Sequence, residues 1–312
     1  MENRSIVKAE HISHKYSVQW AVRDINFEIS QSGIVGLLGS NGAGKSTIMN
    51  IICGVLSQTE GTVLIDGIDL RKDPVRAKQN IGFLPQKPPL YGDLTVDEYL
   101  TYAAQLRKMD PKSIPAALGE VKEKCGITHF SKRLIRNLSG GYQQRVGIAQ
   151  SIIHSPRLVV MDEPTNGLDP NQILDVRTLI KEIAKEKAVL ISTHILSEVQ
   201  AICDRIMMIE HGSLVFNGQM EEFDNYIEPD SFTVTLSHAP LEEELMKVPG
   251  VTAVKPLSEY GAHFRVWFDG DRGTLGRMVE ESVKHGWGLS EIKLEKSSMN
   301  DVFAQLSGRR SK

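Results

Sequence analysis

Cysteine is scarce and scattered in this 312-residue chain: Cys53, Cys125 and Cys203 are odd in number and share no close spacing. That excludes a disulfide framework and a thiolate metal knuckle, and it fits a reducing compartment. No apolar run reaches the ~18 residues that a membrane-crossing helix needs, so any membrane-spanning part must belong to another chain. The opening stretch, residues 1–9, is polar and charged and lacks the apolar centre of a secretory signal. Excess charge is missing too. With 36 basic against 39 acidic residues the net charge is -3, which gives no field to hold nucleic-acid phosphates, and no local basic patch replaces it. There is no internal repeat, no low-complexity tract and no Asn-Lys-x-Asp guanine motif. What remains is an ordinary folded composition, 41% hydrophobic and 24% charged, long enough for one domain of usual size and a smaller one.

What is present is alternation. Residues 34–38 are a short apolar run that predicts a buried strand, and a glycine-rich stretch follows directly. Residues 46–55 then place Ile48, Ile51, Ile52 and Val55 at spacings of three and four, one face of a helix. Residues 158–161 and 188–192 predict two more buried strands, flanked by helical patterns over 145–153, 173–185 and 195–203. Strands alternating with helices predict a mostly parallel α/β sheet that binds ligands at the strands' C-terminal ends. Residues 93–135 read as a charged helical insertion, with a break marked by Pro111 and Pro115. A last helix is predicted over 220–226 and a linker over 227–230. Beyond it the order strand 232–236, helix 241–248, strand 251–257, strand 263–268, helix 274–285, strand 289–295 predicts a small ferredoxin-like α+β domain. In it Phe264, Val266 and Phe268 alternate with His263, Arg265 and Trp267, so one strand face is core and the other exposed or at an interface.

Three stretches carry chemistry. Gly39-Ser40-Asn41-Gly42-Ala43-Gly44-Lys45-Ser46 fits G-x-x-x-x-G-K-[ST], after a strand and opening a helix, where its mechanism requires it. Its glycines let backbone N–H groups curl around phosphates at a helix N-terminus. Lys45 would neutralise the β- and γ-phosphates of ATP, the Ser46 hydroxyl would hold Mg2+, and Thr47 completes the set. A chance match in a chain this long has odds on the order of 1%. The strand 158–161 delivers Asp162 and Glu163 to its end, where successive side chains diverge: Asp162 toward the metal, Glu163 toward the attacking water. By itself the pair could equally be a solvated acidic turn before Pro164. Leu138-Ser139-Gly140-Gly141-Tyr142-Gln143-Gln144-Arg145 places a second anion-seeking turn before a helix. One phosphate loop already occupies the chain, so this turn is best used on a neighbouring copy's nucleotide; read alone it would be a serine cap on an ordinary helix.

With these motifs, in this order, the chain resembles the ATP-binding subunits of ABC transporters from residue 5 to about 218. Gln86 in Ile-Gly-Phe-Leu-Pro-Gln is similar to the family's Q-loop, Gly167-Leu-Asp169-Pro to its D-loop, Ser192-Thr-His194 to its switch histidine, and Tyr16 to the ring it places on adenine. The resemblance implies a P-loop ABC-type nucleotide-binding domain over 1–226, with a helical subdomain at about 88–155 and an accessory domain over 231–312. It implies that Glu163, His194 and Gln86 are catalytic, that Ser46, Gln86 and Asp162 hold Mg2+, that Ser139, Gly140 and Gly141 close on the opposite ATP, and that Asp169 links the two sites. Tyr142 departs from the commonest signature, which has Gln there; altered helix packing is the expected result.

Pro88-Pro89-Leu-Tyr91, Ser192-Thr-His-Ile-Leu-Ser-Glu198 and Ser298-Met-Asn-Asp301-Val-Phe303 look like the ATPases of ABC-2-type exporters. The expectation is therefore a homodimer or pair of like cassettes that hydrolyses ATP at the inner face of the cell membrane, on the cytoplasmic side, and powers a separate permease. A soluble ABC ATPase acting on ribosomes or DNA is the alternative. Such relatives usually carry two cassettes or a long coiled-coil insertion, and here only about ninety residues separate the phosphate loop from the signature.

Overall fold

Alternating apolar residues make the first strands a hairpin. β1 (Val7–Tyr16) and β2 (Gln19–Ile29) pair antiparallel and bury Val7, Ala9, Ile12, Val22, Ile25, Phe27 and Ile29. The computed structural model describes residues 5–238, 240–258, 263–295 and 299–308; the opening residues 1–4 and Ser298, both used above, lie outside the described residues. The chain divides into two units, Met1–Met220 and Glu221–Lys312.

In the first unit β3 (Gly33–Leu38) leads to α1 (Lys45–Ile52), β4 (Glu60–Ile65), β5 (Ile68–Asp69), α2 (Pro74–Gln79) and β6 (Ile81–Leu84). The helical insertion is α3 (Val96–Leu106) and α4 (Ile114–Lys124), then two short 3-10 turns and α5 (Gly140–Ile152). β7 (Leu158–Asp162), α6 (Pro170–Ala184), β8 (Ala188–Ser192), α7 (Leu196–Ile202), β9 (Arg205–Glu210) and β10 (Ser213–Gln219) complete it, and α8 (Met220–Asp224) follows at the point of division. The main sheet has the order β10-β9-β3-β8-β7-β6, parallel except for the β9–β10 hairpin. Its inner strands are apolar except at their ends because each is covered on both faces; every residue of β8 is buried. A smaller antiparallel sheet, β2-β1-β4-β5, packs into the same core.

Several boundaries differ from the sequence pattern for physical reasons. α1 stops at Ile52, Gly54 turns at φ 65, and Val55 is 66% exposed instead of extending the buried stripe. Pro115 does not break a helix; it sits in the first turn of α4, where its missing N–H has no partner to lose, and the break falls at Pro111. α5 begins five residues before the apolar period does, because Gly140 to Gln144 form its first turn with no amphipathic signal.

In the second unit β11 (Ser231–Leu236), α9 (Glu242–Leu245), β12 (Val251–Pro256), β13 (His263–Phe268), α10 (Gly273–His285) and β14 (Leu289–Leu294) form a sheet of order β12-β13-β11-β14 with every pair antiparallel, the ferredoxin-like arrangement. α11 (Met299–Leu306) follows. Phe264, Val266 and Phe268 enter a core with Phe232, Val234 and Met278. The opposite face of β13 is half-buried: Arg265 donates to Glu295 at 2.9 Å and lies over the Trp267 ring.

One buried group makes the first unit sensitive to acid. His154 Nε2 donates to the Ile81 carbonyl at 3.0 Å, while its Nδ1 is buried with no partner. Burial, then the Arg107 charge, pushes its pKa down to about 4. The unfolded chain therefore takes up this proton first: the stabilising contribution is full above pH ~6.5 and is lost as pH falls toward 4. Urea unfolding between pH 7 and 4 should show wild type losing on the order of 3 kcal/mol more than His154→Gln, whose amide keeps the donor without titrating.

Candidate functional site

The register of the main sheet decides what meets at its edge. Leu37 of β3 pairs with Ser192 of β8, and Ser192 pairs with Asp162 of β7. Three loops thus leave adjacent strands at one level: the phosphate loop, the Asp162-Glu163 turn and the Thr193-His194 turn. β6 lies next to β7 and delivers Gln86 beside them. The phosphate loop, the acidic pair and Gln86 line a polar cleft of about 660 Å³, with the Thr193-His194 turn behind it.

The phosphate loop is held from behind. Gly44 caps α1 at φ 112, and a Cβ there would come within 2.5 Å of Val22 Cγ1, so no other residue fits. Asn41, Gly42, Gly44, Lys45, Ser46 and Thr47 line the cleft. Lys45 is 8% exposed and its Nζ donates to the carbonyls of Gly39 and Ser40 at 2.8 and 3.0 Å. Burial lowers its pKa, and the carboxylates of Glu163, Asp162 and Glu210 work against that shift. Gly39, Ser40 and Ala43 belong to the loop but do not line the cleft. Ser40 is instead anchored to Glu210, at the end of β9, through Oγ at 2.6 Å and its own N–H at 3.2 Å.

Asp162 and Glu163 both face the cleft. Ser192 Oγ donates to Asp162. Glu163 stands in the left-handed region, φ 50, a conformation side-chain residues hold only when the surroundings impose it. Its N–H donates to Ser192 O at 3.0 Å, and its Oε1 lies 2.8 Å from His194 Nδ1. His194 touches the site through Glu163 and is not part of the cleft wall. On the far side Tyr16, 53% exposed, lines the cleft with its ring edge against His14.

The remaining candidates stand elsewhere on the unit. Ser139 is at the N-cap of α5, but its side chain makes no cap hydrogen bond; it and Gly140 are exposed. Gly141 is buried, and a Cβ would meet Gln172 at 2.6 Å, which fits this turn against α6. Asp169 caps α6, accepting from the N–H groups of Asn171 and Gln172 at 3.0 Å each. Tyr142 packs edge-on to Phe130 and His129.

Sequence reasoning missed Gln19, Trp20, Ala21, His211 and Gly212, which also line the cleft. Gln19 had a usable signal, since a two-residue hairpin turn pairs it with Tyr16, and Trp20 follows it. His211 and Gly212 had none: they arrive because Gly212 N–H donates to Ala43 O at 3.0 Å and Gly212 O accepts from Arg23 N–H at 2.8 Å, contacts between segments far apart in the chain.

With this geometry in place, known proteins give a consistent match. A family model described as "ABC transporter" matches residues 22–166. The bacitracin transport ATP-binding protein BcrA of Bacillus licheniformis is 31% identical over 97% of this chain and 98% of its own. Among solved structures, cbiO1 from Clostridium perfringens, part of the transporter complex cbiONQ, superposes with a TM-score of 0.65 at 28% identity, covering 72% of this chain and 92% of that one. A dimeric ATP-binding cassette in a post-hydrolysis state with ADP and Pi gives 0.62 at 26% identity, over 69% and 98%. The phosphate loop and the acidic pair share one sheet edge with the turn that carries His194, and the chain belongs to the ABC transporter ATP-binding proteins, the ATP-hydrolysing subunits that power membrane transporters.

Proposed function

We propose that this chain drives an exporter by closing on a second copy around ATP and opening after hydrolysis. One observation carries this: the cleft contains the phosphate loop, Asp162, Glu163 and Gln86, whereas the Ser139–Gly141 turn, exposed at Ser139 and Gly140 and free of a side-chain cap, lies outside it. An uncapped helix N-terminus favours an anion. In the proposed pair it meets the γ-phosphate held by the partner's loop, and the dimeric relative with ADP and Pi supports the pairing of two cassettes. Asp169, fixed as the cap of α6, would face the same junction.

Within one cleft, Lys45 binds the β- and γ-phosphates, Tyr16 takes adenine on its exposed ring, and the loop amides of 39–47 wrap the phosphates. Ser46, Gln86 and Asp162 offer an all-oxygen donor set, the kind a hard divalent ion accepts, so these residues fit Mg2+. Bound there, Mg2+ would offset charge on the phosphates. Glu163 orients and deprotonates the attacking water, and His194, hydrogen-bonded to Glu163, reads the γ-phosphate. Once the γ-phosphate is gone the contacts that favoured the closed pair are lost and the pair opens.

The membrane-crossing part is a separate permease: among the described residues no helix is long and apolar enough to cross a membrane. That cbiO1 is part of a multi-subunit transporter complex supports the reading. The bacitracin-transport relative, similar over nearly the full chain, supports coupling to a transporter, and a relative named for a lipopolysaccharide export system, 33% identical over 71% of this chain, supports the exporter direction.

Glu163→Gln should bind ATP with near wild-type affinity, lose hydrolysis by about a hundredfold or more, and accumulate as a dimer with Mg2+ and ATP in sedimentation velocity; a strictly monomeric ATP-bound variant would overturn the shared-site reading. For Lys45→Ala, calorimetry should show ATP affinity weakened by about tenfold or more, as expected when a buried charged partner is removed.

A further inference from the structure

Sheet pairing carries the catalytic turns only as far as Asp162 and Ser192, the last residues in register. Beyond them Glu163 holds a disfavoured conformation with a single backbone hydrogen bond to the neighbouring strand, from its N–H to Ser192 O, and a local one from Asn166 N–H to its carbonyl, and His194 is on a turn that leaves its side chain half exposed. A side chain from the next helix continues where the ladder stops. Glu198, in the first turn of α7, is 4% exposed, and a carboxylate that buried needs partners. Its Oε1 accepts from the Thr165 hydroxyl and its Oε2 from the Thr193 hydroxyl at 2.7 Å. Thr165 is two residues past Glu163, and Thr193 directly precedes His194. Both threonines are at least nine-tenths buried. Thr193 Oγ1 also accepts from the N–H of Ile195 at 3.1 Å, so it fixes the turn on both sides of His194. Arg177 of α6, the helix capped by Asp169, brings its guanidinium to 3.7 Å from Oε1.

We infer that Glu198 is a positioning residue for hydrolysis: its buried carboxylate clamps the turn that carries Glu163 to the turn that carries His194. The two side chains are thereby kept at their 2.8 Å contact. The clamp acts through the threonine hydroxyls and touches neither nucleotide nor water. A space-filling role would need volume only; the clamp needs a carboxylate with two hydroxyl donors. The inference rests on the proposed roles of Glu163 and His194.

The test compares ATP hydrolysis and ATP binding for the full chain as wild type, Glu198→Ala, Thr193→Val and Thr193→Ser, with the first two variants also combined with His194→Ala. Glu198→Ala and Thr193→Val should lower kcat by about tenfold or more while KM for ATP moves less than about threefold, since binding rests on the phosphate loop. Thr193→Ser keeps the hydroxyl and should stay within about threefold of wild type. In single-turnover assays on the His194→Ala background, the same substitutions should cost less than about twofold more, because residues acting through one contact are not additive. A folded Thr193→Val with wild-type kcat, or losses that multiply with that of His194→Ala, would overturn the clamp. Where Glu198→Ala does not fold, the Thr193 pair decides. An active Glu163→Gln would sink the underlying assignment instead, whereas an inactive Glu163→Gln beside a fully active Thr193→Val sinks the clamp alone.

Discussion

Everything at the nucleotide edge depends on the parallel register of three strands. Because Leu37, Ser192 and Asp162 sit at one level of β3, β8 and β7, three loops distant in sequence begin at the same height on three successive strands. A one-residue slip would turn the side chains to the opposite sheet face and separate the acidic pair from the phosphate loop. The register is protected by burial: these strands are apolar up to the polar residues Asp162 and Ser192 at their C-terminal ends, and covered on both faces.

On that frame the site concentrates opposed charge in a partly enclosed space. Lys45 is surrounded by Glu163, Asp162 and Glu210, and burial alone would weaken its charge. The three carboxylates are differently employed. Glu210 locks the phosphate loop through Ser40, Asp162 is bound by Ser192, and Glu163 is held in a left-handed backbone conformation against His194. Such strain persists only where surrounding contacts over-determine it; the backbone bond to Ser192 and the threonine-linked Glu198 supply them on either side of the turn.

The same construction explains why half of the proposed site faces away from the cleft. α5 carries its Ser-Gly-Gly turn at the end of the helical insertion, with Gly141 pressed on Gln172 of α6 and Gln144 donating to Pro164 O at 2.7 Å. These contacts tie the signature turn to the segment after Glu163. A change at the Glu163 turn, proposed to carry hydrolysis, therefore has a packed route to the surface proposed to meet the second copy.

The sequence alone specified the phosphate loop, the acidic pair, the signature turn, the alternation of strands with helices and the βαββαβ order of the second unit, because each is set by local spacing and by backbone rules acting over a few residues. It also implied Gln86, His194, Asp169 and Tyr16 by resemblance. Only tertiary structure decided which of these share a cleft: Tyr16, Gln86 and the acidic pair join the phosphate loop, His194 reaches it through Glu163, and Ser139 and Asp169 do not line it. Trp20, His211, Glu210 and the Glu198 clamp became visible there too, since contacts such as Ser40 with Glu210 join residues 170 positions apart. Local pattern carries no information about such pairs; strand order and register do.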